Sequence, residues 1–261
     1  TTTTTYTVRV RDTFGCEDED EVRVTVFEVP TAHAGRDTAV CYATVVRLGG
    51  APTASGGGGS YTYSWTPVEG LSDATAPNPE ISVVTSATYT VRVRDINGCE
   101  TTDEVVVTAY PRNIPVISIA SGNNPACEGD VVTLDAGSGF RSYQWSNGAT
   151  TQLVAITTTQ TLTVMTVDVN GCSEVSEALT VVVNSRPRPV VVADGSTMLC
   201  TGETVTLDAG GDYQSYLWSN GSNERTLTVS EPGNFFVQVW DGNGCSGTSN
   251  IVTVIRRSVS L

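Results

Sequence analysis

An all-β fold, laid out as a tandem array of antiparallel β-sandwich units, is what this sequence predicts. Three observations point there. The chain repeats itself: "ATYTVRVRDINGCE" at 87–100 nearly copies "TTYTVRVRDTFGCE" at 4–17, an offset of 83 residues. A second echo is tighter, with "CEGDVVTLDAGSGFRSYQWSNG" at 127–148 matching "CTGETVTLDAGGDYQSYLWSNG" at 200–221, an offset of 73. Within each repeat the hydrophobic period is two, the period of a half-buried strand.

The last repeat shows how the elements are read. "TVTLDA", "SYLWS", "RTLTV", "NFFVQVW" and "NIVTVI" are short runs dominated by Thr, Val and aromatic residues, the types that fit a pleated, half-buried surface. "AGGD", "SNG", "EPG" and "DGNG" separate them as turns. No amphipathic helix pattern of useful length is present. Units of 70–80 residues built this way read as immunoglobulin-like antiparallel β-sandwiches.

The repeats set the organisation. The order Cys, Trp, Cys occurs as Cys41, Trp65, Cys99, then Cys127, Trp145, Cys172, then Cys200, Trp218, Cys245. Three repeats follow, roughly 30–110, 111–186 and 187–261, and residues 1–29 read as the back half of a fourth whose front half is absent. With no initiator Met, the chain reads as an interior or processed piece of something longer.

The sandwich assigns the aromatics. Trp65, Trp145 and Trp218 fall where such a fold places its core Trp on strand C, beside inward-facing aliphatics, so they read as core rather than as sugar-stacking platforms. Phe235, with Tyr89, Tyr6 and Leu162 in its place elsewhere, marks the start of strand F.

Composition excludes whole classes. The 261 residues carry 14 basic against 28 acidic side chains, a net charge of −14, which argues against nucleic acid as a partner. All the basic residues are Arg, so Lys–Asn isopeptide crosslinks and Schiff bases are out of reach. The apolar residues come in runs too short for a membrane span, so no direct membrane insertion is expected.

At the level of whole segments, "HAGRDTAVCYATVVRLGG", "YTYSWTPVEGLSDATAPNPEISVVTSATYTVRVRDINGC" and their echoes resemble the immunoglobulin-like and PKD-like repeats of very large Bacteroidota surface proteins. The gliding-motility adhesins and related type IX-secreted proteins are the family in question. That resemblance implies export and a place at the cell surface, in a long fibre or adhesin. It also gives "DTA" (Asp37, Thr38, Ala39) a meaning, as the short Asp-Ser/Thr-small motif that Bacteroidota O-glycosylate, which makes Thr38 a glycosylation candidate.

Catalysis finds no support. The one histidine, His33, reads as a solvated residue beside a linker, and no nucleophile sits in a recognisable setting. "SGGGGS" at 55–60 reads as a flexible loop between strands B and C, without the GK[ST] of a nucleotide cradle. No cofactor is expected. Calcium is the one ion the acidic stretches could take: "EDEDE" at 17–21 and the D-x-N-G sequences (Asp95, Asn97; Asp168, Asn170; Asp241, Asn243) offer oxygen ligands. The same D-x-N-G is also turn chemistry, with Asp capping and Gly taking the positive φ, and that reading is preferred. Arg9, Arg11, Arg92 and Arg94 are expected to face outward and pair with Glu21 or Glu104 across their hairpins.

The functional reading is a non-catalytic structural segment of a long extracellular surface fibre, appendage or adhesin. The alternatives are a glycan- or protein-binding module and accessory repeats of a secreted hydrolase. The partners expected are neighbouring repeats of the same long chain and identical chains in an appendage. The contact face is expected in the last repeat, where outward positions that are polar or mixed elsewhere become Leu217, Phe236 and Trp240.

Seven cysteines in regular places imply disulfides, and two pairings compete. One joins cysteines within a repeat: Cys41–Cys99, Cys127–Cys172 and Cys200–Cys245. The other joins neighbours, Cys41 to Cys172 and Cys127 to Cys245, leaving Cys16, Cys99 and Cys200 for partners in missing repeats or other chains. Strand B separates the A–B end from the F–G end by ~20 Å, while a disulfide needs Cα atoms within ~7 Å. That distance favours the pairing between repeats, unless strand A doubles back or crosses between the sheets.

Overall fold

The computed structural model describes residues 2–257, which form strands, turns and loops with no helix among them. The chain opens on an isolated hairpin, β1 (Thr4–Arg11) against β2 (Glu17–Val24), in antiparallel register from Thr4↔Val24 to Arg11↔Glu17. Eight strands follow: β3 (Pro30–Ala32), β4 (Thr38–Val40), β5 (Thr44–Arg47), β6 (Ala54–Gly56), β7 (Thr62–Thr66), β8 (Glu80–Val83), β9 (Ala87–Arg94) and β10 (Glu100–Ala109). One sheet has the order β4-β10-β9-β7, and β5 pairs with β8 opposite it. Between them lies a core of Leu48, Trp65, Ile81, Val83, Tyr89, Val91, Val93, Val105 and Val107.

The same plan recurs twice. The next set comprises β11 (Ser118–Ser121), β12 (Ala126–Cys127), β13 (Val132–Asp135), β14 (Ser142–Trp145), β15 (Leu153–Ile156), β16 (Gln160–Leu162), β17 (Val164–Val167), β18 (Ser173–Val175), β19 (Leu179–Val181) and β20 (Val183–Asn184). The last comprises β21 (Val192–Ala193), β22 (Met198–Leu199), β23 (Val205–Asp208), β24 (Ser215–Trp218), β25 (Thr226–Val229), β26 (Gly233–Phe235), β27 (Val237–Trp240), β28 (Ser246–Thr248) and β29 (Val252–Arg256). β11-β13-β15 matches β21-β23-β25, and β14-β17-β18 matches β24-β27-β28. Each set closes on its own core, around Trp145 and Trp218 respectively. The fold is all-β and immunoglobulin-like, in repeated antiparallel sandwiches.

Two compact units contain these cores. One runs to Asn113 and includes the short segment Asn170–Cys172; the other holds Ile114–Val169 and everything from Ser173 onward.

Strand A does cross between sheets. β11 pairs with β13, while β12 runs parallel to β20, with Cys127 opposite Asn184. Crossing does not bring Cys127 to Cys172, because Asn184 ends strand G and Cys172 precedes it. The twelve residues between them span up to about 40 Å at ~3.3 Å per residue.

Four expectations need correction. "NFFVQVW" is two strands, because the chain changes partners at Phe236: β26 pairs with β29, and β27 with β24 and β28. Tyr6 is not a core residue like Tyr89; it lies exposed on its hairpin. The arginines pair with acids two or four residues nearer the turn than the expected ones. Arg9 meets Glu17 and Glu19, Arg11 meets Glu17, and Arg92 and Arg94 both meet Glu100. Glu21 and Glu104 lie opposite Thr7 and Thr90 and accept from their hydroxyls at 3.3 Å.

The glycine run is the fourth. Ala54–Gly56 is strand β6, paired with β3; of the glycines after it, Gly57 and Gly58 pack against the Asp95 turn, while Gly59 has nothing within 4 Å of its Cβ position. The Gly58 N–H donates to the Asp95 carboxylate at 2.8 Å. A Cβ on Gly57 would meet that carboxylate at 2.8 Å, and one on Gly58 would meet the Asn97 amide at 2.2 Å. At 57 and 58 the neighbouring atoms leave no room for a side chain.

Candidate functional site

The cysteines sit in two kinds of turn, one at each end of a sandwich. Cys41, Cys127 and Cys200 each close the short strand that precedes strand B. There the Cys127 N–H donates to the Asp130 carboxylate at 3.1 Å, and the Cys200 N–H to the Glu203 carboxylate at 2.8 Å. The backbone answers in the other direction, from Asp130 N to Cys127 O and from Glu203 N to Cys200 O. A small polar loop thus holds Cys127 and Cys200 at the lip of their sandwiches, and at Cys41 the Thr44 N–H donates to the cysteine carbonyl.

In the F–G turns an Asx-type cap holds Cys16, Cys99 and Cys245. The Cys16, Cys99 and Cys245 N–H groups each donate to Oδ1 of the aspartate four residues earlier, Asp12, Asp95 and Asp241, at 2.9 Å. Each of those aspartates donates its own N–H back to the cysteine carbonyl. Gly15, Gly98, Gly171 and Gly244 take the positive φ that the turn needs. Asp95 also accepts from Asn97 and Gly58. These bonds, the one from Gly58 above all, hold its carboxyl below the usual carboxylate range. The carboxylate oxygens of Asp95 are therefore engaged with backbone donors. Among the described residues no three His, Cys, Asp or Glu side chains gather as a metal site.

Two disulfides join one kind of turn to the other. Cys41 is bonded to Cys172 with Cα atoms 5.5 Å apart, and Cys127 to Cys245 at 5.6 Å. The structure brings these two pairs together and leaves Cys16, Cys99 and Cys200 as free thiols, Cys16 exposed and the others half-buried. The bonds overlap in sequence, so that each loop encloses one cysteine of the other.

Around the second bond lies a junction that the sequence reading missed. The linker "SRPRP" at 185–189 runs past both turns. Arg186 donates from Nε to the Glu128 carbonyl at 2.6 Å, from Nη2 to Asp130 at 2.7 Å and from Nη1 to the Ser246 carbonyl at 3.4 Å. Arg188 adds a longer pair with Glu128. On the other side Gly247 lies against the linker, where a Cβ would come within 1.8 Å of the Pro187 carbonyl oxygen. The signal was in the register of the repeats: the second residue after the F–G cysteine is Asp18, Thr101, Glu174 and then Gly247. Beside the other bond, Arg112 stacks over the Tyr42 ring at 5.3 Å.

The core tryptophans are fully buried. Their indole N–H groups donate to backbone carbonyls of Ala76, Thr151 and Glu224 at 3.0, 2.8 and 2.8 Å, which satisfies the one polar atom each brings inside. Leu217 and Phe236 are exposed, and Trp240 is half-buried. Leu217 stands opposite Gln238, flanked diagonally by Phe236 and Trp240 on the outer face of β24 and β27. Thr38 is half-buried on edge strand β4, next to Asp37, whose carboxylate accepts from the Val106 N–H at 2.8 Å. His33 is exposed.

No protein-family model matches this sequence, and no curated protein matches it. Among solved structures, the N-terminal eight Ig domains of Down Syndrome Cell Adhesion Molecule align with 98% of this chain at 14% identity and a TM-score of 0.48. This chain spans 40% of that one. The ICAM-5 D1–D4 ectodomain fragment aligns with 98% of this chain and 84% of its own, at 11% identity and a TM-score of 0.41. The full ectodomain of mouse nectin-like molecule 4, Ig1–Ig3, aligns with 87% of this chain and 100% of its own, at 11% identity and a TM-score of 0.37. The fold assignment itself rests on the strand pairing and the three cores.

Proposed function

We propose that this chain is a non-catalytic structural segment of a long extracellular fibre, appendage or adhesin, in which immunoglobulin-like repeats are stacked and stapled to one another. The repeats are 30–110, 111–186 and 187–261, preceded by the half-repeat 1–29. The observation that carries the reading is the disulfide pattern. Each bond runs from the A–B turn of one repeat to the F–G turn of the next, where it ties repeats together instead of stabilising a single core. Two disulfides also favour an oxidising compartment. The resemblance of "GLSDATAPNP" and "TYTVRVRDINGC" to type IX-secreted Bacteroidota surface repeats supports the same location.

In this reading the partners are the adjoining repeats, with Leu217, Phe236 and Trp240 as the face for a second copy of the chain. No cofactor takes part. The test is labelling of intact source cells with antibody raised against residues 30–257, combined with imaging of the labelled material. Surface label on extended fibres is the expected result; label that appears only after lysis would overturn the proposal.

A further inference from the structure

We propose that the apolar face of the β1–β2 hairpin, the one carrying Tyr6, Val8 and Val10, is a docking surface for the front half of an immunoglobulin-like repeat, and that this partner segment supplies the cysteine that bonds to Cys99. The inference rests on the stacked-repeat reading and names the partner it requires. Two independent observations meet in it.

The first is a comparison within the chain. Residues 5–12 and 88–95 are the same eight residues, "TYTVRVRD". In the complete repeat, Tyr89, Val91 and Val93 are 4%, 0% and 0% exposed; in the hairpin, Tyr6, Val8 and Val10 are 59%, 59% and 63% exposed. Val22 and Val24 lie exposed on the partner strand, opposite Tyr6 and Thr4. What makes the difference is the cover supplied by β3–β8, with Ala32, Leu48, Trp65, Ile81 and Val83. The hairpin is thus half of a known interface, and the residues that fit it are those of a front half carrying a strand-C Trp.

The second observation is Cys99. Its turn is built like that of Cys245, with the same Asp cap at the same 2.9 Å, yet Cys245 is bonded and Cys99 is free. Both bonded F–G cysteines, Cys172 and Cys245, take their partner from the A–B turn of the preceding repeat. By that rule the partner of Cys99 stands just before strand B of the repeat to which β1 and β2 belong. The uncovered face and the unbonded thiol therefore ask for one and the same segment.

The test extends the whole chain with its own front half. A copy of residues 30–86 is placed ahead of residue 4, which reproduces the natural junction between Ser86 and Ala87. Cys99 is expected to bond to the Cys41 of the added copy, leaving Cys16 and Cys200 as the only thiols that alkylate under non-reducing peptide mapping. Amide exchange across Tyr6–Arg11 is expected to slow by about tenfold or more. A second form, carrying Cys41→Ser in the added copy alone, should keep the slowed exchange while Cys99 becomes free again. Unchanged exchange in both forms, or an added Cys41 bonded elsewhere than Cys99, would overturn the proposal while leaving Cys41–Cys172 and Cys127–Cys245, and the stacked array, untouched. So would a dimer of the unextended chain with protected hairpin amides, since a second copy would then be the occupant.

Discussion

Gly247 and Pro187 are in backbone contact: the space a side chain would need at Gly247 is filled by the Pro187 carbonyl. That contact holds the linker between the F–G turn carrying Cys245 and the A–B turn carrying Cys127, where Arg186 spans both. A methyl group at 247 must push backbone away, since no flexible side chain is there to yield. Gly247→Ala is expected to cost ~1–3 kcal/mol, the usual range for overpacking, read as a lower denaturant midpoint. Gly242→Ala, in the same turn but with nothing within 4 Å of its Cβ position, should stay within ~0.5 kcal/mol. Equal losses at both positions would remove Gly247 from the junction.

Trp218 and Leu217 are neighbours on β24 with opposite fates, one buried in the core and the other exposed. Trp218→Ala should cost ~3–5 kcal/mol, for the lost burial and the cavity left behind. The double change Leu217→Ser, Phe236→Ser should leave stability within ~0.5–1 kcal/mol. If the outer face joins copies of the chain, sedimentation velocity will show association for the wild type and none for the double variant. Association that survives the double change would remove the patch as a contact face.

Much of this was legible in the sequence, for a physical reason. A period of two that recurs at fixed offsets fixes which side chains point inward, so Trp65, Trp145 and Trp218 could be placed from the pattern alone. Strand length alone separates the two ends of a sandwich, which is why a bond between repeats could be preferred over one within them. What the sequence hid is contact between distant segments. "SGGGGS" reads as flexible because nothing local reveals the Asp95 carboxylate and the Asn97 amide pressing on Gly57 and Gly58. The grip of Arg186 on Glu128 and Asp130 depends on residues more than fifty positions away. The split of "NFFVQVW" at Phe236 follows from which strands compete for each half, and alternation along one strand carries no record of that.

Asp95 should give one of the turns a pH signature. Hydrogen bonds from Gly58, Cys99 and Asn97 hold its carboxyl below the ordinary range. The stability it contributes is present above the unfolded-state pKa of about 3.9 and is lost as pH falls through the lower native value. Asp95→Asn replaces one acceptor with a donor facing the Gly58 N–H, so the variant should be less stable at neutral pH. The gap in urea midpoint between wild type and variant should narrow as pH is lowered below about 4. A gap that stays constant down to about pH 2 would mean that the Asp95 charge contributes nothing.

The overlapping disulfides make a mechanical prediction. Pulled from its ends, the reduced chain can extend each repeat in turn, and a repeat of about 75 residues releases roughly 250 Å at ~3.5 Å per residue. In the oxidised chain the force crosses from Cys41 straight to Cys172, and then by way of Cys127 to Cys245. Only the stretch of about 45 residues shared by the two loops lies on that path between Cys41 and Cys245, so extension there is limited to ~160 Å. Single-molecule pulling should therefore show full-length unfolding steps in reductant and only short ones without it. Cys127→Ser should restore only part of the lost extension, about 100 Å at ~3.5 Å per residue: the 73-residue run from Cys172 to Cys245 replaces the shorter stretch on the path, while residues 42–171 stay shielded by the remaining bond. Full-length steps from the oxidised wild type would show that the bonds do not carry the load, and would count against the proposed stapled fibre.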